Sequence, residues 1–407
     1  MSVLPTDSVP ATDEALLRRA RRLHREVPLV DGHNDLPFEI RVKAGGDLAR
    51  MDPDGPLPGQ HTDVPRLREG GVGGVFWAAY VPPTLAGEAA VRFATEQVEL
   101  IHGMTERSPH LEPARTADDV ERIHAAGRIA SLVGVEGGHA IANSLDVLRG
   151  LYRLGARYLT LTHADTTDWA DAATDEERHG GLTPFGEEVV REMNRLGMLV
   201  DLSHVSAAAM RAAIRVSEAP VVFSHSGACG VAEHPRNVPD DVLERVRGNG
   251  GVVMVNFYPG FVEPRGAELM RDMFDVLRGM LARHPGDPGR AAAEFAAWRE
   301  ARPVPRGTVA TLADHVDHVV RVAGIDHVGL GSDFDGVTAL PEGMEDVSRY
   351  PWLTAELLRR GYTDDEVRRV LGGNVLRAMR GAERVAERLR RERGPSTATI
   401  ERLDRAG

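Results

Sequence analysis

PLVDGHNDLPF, residues 28–38, is a short apolar run that ends by setting His33 and Asp35 one residue apart. Alternation along a strand would point both side chains to the same side. An imidazole and a carboxylate at the end of a buried strand need charged partners or a metal ion. Later segments repeat the arrangement.

Eight apolar runs read as buried parallel strands: VPLVD (27–31), VGGVFWAAY (72–80), SLVGVE (131–136), ARYLTLT (156–162), MLVDLS (198–203), PVVFS (220–224), GVVMVNF (251–257) and HVGLGSD (327–333). Their near-continuous hydrophobicity implies cover on both faces. Helical patterns lie between most of them. In TPFGEEVVREMNRLG, Thr183 reads as an N-cap, Pro184 as the first helical residue and Gly197 as the stop. These strand–helix units predict an α/β fold, a single (β/α)8 TIM barrel spanning residues 27–392. A nine-stranded sheet or two smaller α/β domains compete with it. Residues 1–26 read as a helical lead-in and 393–407 as a tail that is partly ordered at most. The interval 259–308 is a helical excursion before the last barrel unit, fitting either a lid or a subunit contact.

Of 407 residues, 42 % are hydrophobic and 27 % charged, an ordinary globular balance. A net charge of -12, with no long basic stripe, argues against nucleic acid as a partner. Cys229 is the single cysteine, which excludes an intrachain disulfide framework and a thiolate metal cluster. No apolar run has the length of a signal peptide or a membrane span, so a cytoplasmic location with no membrane partner is expected.

Barrel ligands gather at the C-terminal strand ends. Those positions hold His33 and Asp35 in the first unit, Glu136 in the third, His163 in the fourth, His204 in the fifth and His225 in the sixth. The eighth ends in Asp333 and Asp335. Imidazole and carboxylate without thiolate suit zinc. Four histidines with carboxylates exceed the need of one catalytic ion, so two ions about 3.5–4 Å apart on a bridging carboxylate are expected. Glu136, between the first-strand pair and the later histidines around the ring, is the candidate bridge. Each residue also has an ordinary structural role open to it. His33 and Asp35 could form a strand-end or helix-cap pair, His204 could sit in an N-cap region, and His225 could bond backbone. Asp335 reads more readily as a turn cap than as a site residue. His61, His139, His179 and His234 are placed outside the site.

These residues sit in VDGHNDLP, VGVEGGHAI, LGARYLTLTHAD, GMLVDLSHVS, PVVFSHSGA, RNVPDDVL, VMVNFYP and GLGSDFDGV, phrases that resemble the membrane (renal) dipeptidase family, the zinc peptidases of family M19. The resemblance runs from about residue 23 to 380. It implies a (β/α)8 barrel and a metal-dependent dipeptidase holding two Zn2+ ions. His33 and Asp35 would bind one ion, His204 and His225 the other, with Glu136 bridging. His163 would steady the tetrahedral intermediate, Arg236 would bind the dipeptide's terminal carboxylate, and Asp333 would face the substrate as proton shuttle. Asn256 and Tyr258 fall in a pocket-lining stretch. A homodimer is a further expectation of the resemblance, and L-D dipeptides join the expected substrates. The alternative is a binuclear barrel amidohydrolase acting on another small carboxylate-bearing amide or lactone.

Overall fold

The structure, a computed structural model, describes residues 11–404. Its strands are β1 (Leu29–Asn34), β2 (Val72–Tyr80), β3 (Leu111–Pro113), β4 (Ile129–Glu136), β5 (Ala156–Thr160), β6 (Leu199–Asp201), β7 (Val222–Phe223), β8 (Val252–Val255) and β9 (Val328–Leu330). All pair in parallel; β1 joins both β2 and β9, and β2 joins β4. The strands other than β3 therefore close into the expected eight-stranded barrel, wrapped by helices.

β3, with the helix Ala117–Ala125, is an extra unit that the sequence pattern does not reveal. β2 runs along one edge of β4 from Ala130 to Glu136. β3 takes the other edge at Ile129–Ser131, and β5 continues it from Val133. Three residues, LEP, are too few to show a period.

Several strands stop short of the polar residues expected at their ends. β6 ends at Asp201 and β9 at Leu330, so His204 and Asp333 lie on the loops beyond. Both adopt left-handed backbone, with φ of 70° and 65°. Non-glycine residues held there carry strain of about 1–3 kcal/mol each, which surrounding contacts must offset.

The helix Pro184–Leu196 starts and stops where its sequence says. Thr183 Oγ1 accepts from the Gly186 amide, and Gly197 turns left-handed at φ 86°. Within the tail, Asp404 is held against this helix. That carboxylate accepts from Thr183 Oγ1 at 2.6 Å and from the Phe185 amide at 2.9 Å. A negative charge at a helix N-terminus is favourable, which explains the docking. The lead-in contains the helix Ala11–Glu26, which His24 ties to Thr354 Oγ1 at 2.8 Å. The remainder of the lead-in, residues 1–10, and the last three residues of the tail lie outside the described residues.

The closing helix Asn374–Glu392 covers the N-terminal ends of the strands. Asn374 donates to the Val328 carbonyl and Arg377 to that of Gly250. Val375, Leu376 and Met379 are buried with the barrel residues Val30, Phe76, Leu132, Leu199 and Met254. The opposite, C-terminal end is left for the site. There the excursion forms helices Pro259–Val262, Pro264–Arg283 and Pro288–Glu300, and its Met270, Met273 and Arg299 line the mouth cavity. Among the described residues, no helix is long and apolar enough to cross a membrane.

Candidate metal centre

Glu136 is the last residue of β4, and its two oxygens face two different sets of groups. Oε2 lies 3.5 Å from His33 Nε2, while Oε1 lies 3.1 Å from His204 Nε2 and 3.5 Å from His225 Nε2. Asp35 Oδ2 stands 3.3 Å from His33 Nε2. Around a tetrahedral zinc with bonds of about 2.0–2.2 Å, neighbouring donor atoms are roughly 3.3–3.6 Å apart. Three of these four spacings match that shell and the one to His204 is slightly tighter; Glu136 belongs to the His33–Glu136–His225 and Glu136–His163–His204 groups alike. The centre is binuclear in form, with Glu136 as its bridge.

The ring nitrogens agree. His33 Nδ1 lies 2.9 Å from Tyr158 Oη, whose hydroxyl also reaches the Gly32 carbonyl at 3.3 Å. His225 Nδ1 lies 2.8 Å from Ser224 Oγ, whose hydroxyl donates to Asp201 Oδ2 at 2.7 Å. A hydroxyl committed to another acceptor receives the proton of Nδ1, leaving Nε2 as a bare lone pair aimed at the centre.

Supporting groups were not marked as site residues from the sequence. Asp201 is fully buried and also accepts from the Ser224 and Ser203 amides at 2.8 and 3.1 Å. Asp31 does the same below His33, accepting from the Ser332 amide at 2.8 Å and Ser332 Oγ at 2.6 Å. Tyr158 can lie across the barrel because residue 134 is glycine. A Cβ there would stand 1.9 Å from the Tyr158 ring. The available signal was an aspartate inside each apolar run, in LVDGH and LVDLSH.

His33 and Asp35 converge by a different route from strand alternation. The β1 register breaks between Asp31 and Asn34, and Asp35 is the residue preceding the helix Leu36–Ala44. Its side chain makes no cap hydrogen bond and turns toward His33 instead. Asp335, by contrast, ties down a loop. Its Oδ1 accepts from the His61 amide at 2.7 Å and from Gln60 Nε2 at 3.1 Å. His139 and His179 face the carbonyls of Pro82 and Thr167, and His234 Nδ1 accepts from the Arg236 amide.

Burial would raise the Glu136 carboxyl, but the neighbouring histidines, His33 foremost, hold it well below the usual range. Burial and the Arg236 charge keep His204 and His225 well below ordinary histidine, hence neutral. His33 is pulled down by burial yet ends well above its ordinary value through Tyr158, Glu136 and Asp35. Those carboxylates are the groups that a cation would neutralise. Burial and then the Asp35 charge push Asp333 up to about 8, while Asn256 Nδ2, donating to it at 2.9 Å, opposes the rise.

A cavity of about 450 Å³ opens over this centre, lined among others by Asp35, Tyr80, Glu136, His163, Arg236, Tyr258 and Asp333. Arg236 is only 1 % exposed, and its Nε has no hydrogen-bond partner among the described residues. Its Nη2 donates to the His225 carbonyl at 3.1 Å, and burial lowers its pKa to about 10. His163 lies against His204 and Tyr80, with centroids 4.4 and 4.7 Å away, and its buried Nδ1 has no hydrogen-bond partner among the described residues. Gly336 gives the closest approach: a Cβ there would sit 2.2 Å from Asp35 Oδ2 and 2.4 Å from Asp333 Oδ1.

Comparison with known proteins agrees with this geometry. Residues 17–393 match the family model described as Membrane dipeptidase (Peptidase family M19). Dipeptidase verJ of Clonostachys rogersoniana is 42 % identical over 386 residues, covering 92 % of this chain and 89 % of that protein. Dipeptidase 3 of Mus musculus is 42 % identical over 382 residues, covering 93 % and 69 %. The probable dipeptidase PvdM of Pseudomonas aeruginosa superposes with a TM-score of 0.79 at 26 % identity, covering 92 % of this chain and 100 % of that one. A metallopeptidase from Rhodobacter sphaeroides, liganded with a phosphinate mimic of the dipeptide L-Ala-D-Ala, superposes at 0.72 with 27 % identity over 88 % and 99 % of the two chains. With a match over nearly its whole length and a carboxylate-bridged histidine centre at the barrel mouth, the chain belongs to the membrane dipeptidase family, peptidase family M19.

Proposed function

We propose that the protein hydrolyses the peptide bond of dipeptides with free termini, L-D pairs included, at a Glu136-bridged zinc pair. One observation carries this: the cavity holding the bridged centre also holds a buried arginine with an unpaired Nε. When bound, the zinc pair supplies Lewis acidity and lowers the pKa of the attacking water. His33 and Asp35 would hold one ion, and His204 and His225 the other.

Arg236 holds the terminal carboxylate of the substrate. A planar fork matches a planar carboxylate, and a longer peptide would offer a neutral amide there instead. His163 stands beside the histidine pair and points its polar edge at the developing oxyanion, where preorganised polarity lowers the barrier most. Asp333, oriented by Asn256, takes the proton of the attacking water and delivers it to the leaving amine. A homodimer in the cytoplasm, without nucleic-acid or membrane partners, belongs to the same proposal. It rests on the family resemblance, the single cysteine and the net charge; light scattering and fractionation test it.

The direct test is a panel of dipeptides, tripeptides, N-acylated dipeptides and lactones, assayed with metal content measured on the same sample. Cleavage confined to dipeptides at two metals per chain is expected. Turnover of tripeptides or lactones at comparable rates refutes the assignment.

A further inference from the structure

The mouth cavity has an electrostatic asymmetry that the bridged centre does not explain. Its permanent cations are Arg236 and Arg299, and its carboxylates include Asp35, Glu39, Asp333 and Asp335. Arg236 comes from the loop after β7, whereas Arg299 comes from the excursion helix Pro288–Glu300. A continuous wall links the two. The Arg236 guanidinium lies 5.2 Å from the Phe261 ring centroid, and Phe261 meets Tyr258 edge-on at 4.9 Å. The Tyr258 hydroxyl points at Met270 Sδ, 3.5 Å away. Met273 completes the apolar part of the wall. Arg299 makes no hydrogen bond or ion pair among the described residues, and its charge opposes the rise that burial imposes on the Tyr258 phenol.

We propose that Arg299 is a specificity-determining residue that favours dipeptides with an acidic side chain on the C-terminal residue. The inference deepens the dipeptidase assignment and rests on it. With the terminal carboxylate on Arg236, the second residue lies along the Phe261–Tyr258–Met270 wall. Its methylene groups meet ring and thioether surface, which adapts to shape. A carboxylate at the end of that side chain meets the one unpaired cation on the wall, and a lysine there meets repulsion. The excursion thus supplies a selective contact as well as cover.

The test compares Ala-Glu with Ala-Gln, which match in shape and differ in charge. In the wild type, kcat/KM should favour Ala-Glu by about twofold to fivefold, the range of an exposed ion pair. Rising ionic strength should erode that ratio. Arg299→Ala should bring it to about one, and Arg299→Glu should shift preference toward Ala-Lys. Equal rates on Ala-Glu and Ala-Gln in the wild type, or a ratio unchanged in both variants, overturn the proposal while leaving the dipeptidase assignment standing. Failure to cleave any dipeptide overturns both. Arg299 is exposed, so neither variant threatens the fold.

Discussion

His204 Nε2 and His225 Nε2 stand 2.9 Å apart, both within 3.5 Å of the same oxygen of Glu136. The Nδ1 of His225 is already matched to Ser224, so its Nε2 brings a lone pair to this point. Lone pairs and a carboxylate at such spacing repel unless a cation or a proton lies among them. Removing metal with a chelator should therefore abolish activity and lower the melting temperature, and adding back zinc should restore both. Full peptide cleavage by metal-free protein would contradict the site.

Ser224 fixes the His225 tautomer through Asp201. Ser224→Ala should weaken zinc affinity by roughly 10- to 100-fold, as loss of such outer partners does. Chelator-competition titration measures it. Activity should recover at saturating zinc, which separates a positioning role from a collapsed barrel.

Arg236→Ala should raise KM for dipeptides by about 100-fold with metal content unchanged, since a buried charge pair to the substrate is lost. Steady-state kinetics with metal analysis checks both halves. Parallel loss of zinc and activity would assign Arg236 to the centre instead.

Gly336→Ala places a Cβ against the ends of two carboxylates, which can swing aside. The fold should survive, with a melting temperature close to wild type. Displacing Asp35 and Asp333 should still cost on the order of 100-fold in kcat, the scale of a misplaced catalytic group.

His315 gives the stability a pH dependence. Its Nδ1 accepts from the Ala228 amide at 2.9 Å and its Nε2 faces the Val262 carbonyl at 2.8 Å, so the ring is held neutral. Burial lowers its pKa from 6.5 to about 4. Below pH 6.5 the unfolded chain binds the proton first, so stability is full above 6.5 and falls as pH drops toward 4. The loss attributable to this ring is about 3 kcal/mol. Denaturant melts of wild type and His315→Gln across that window should show a shallower slope in the variant.

Much of this molecule was legible along the chain. Apolar runs marked the barrel strands, and His33, Glu136, His163, His204, His225 and Asp333 followed them at the same end, because strand burial and residue chemistry are local properties. The β3 unit escaped notice because three residues carry no period. Asp31, Asp201, Ser224 and Tyr158 escaped for another reason: a buried polar residue shows its purpose only through partners far away in sequence.

The amino-acid sequence by itself determined the barrel and the ligand chemistry of its mouth. Tertiary closure decided the rest. It put the two oxygens of Glu136 against separate histidine sets, turned Asp335 toward His61, and laid the excursion across the cavity so that Arg299 looks in. Those outcomes depend on distances between residues hundreds of positions apart, and such distances exist only after β1 has met β9.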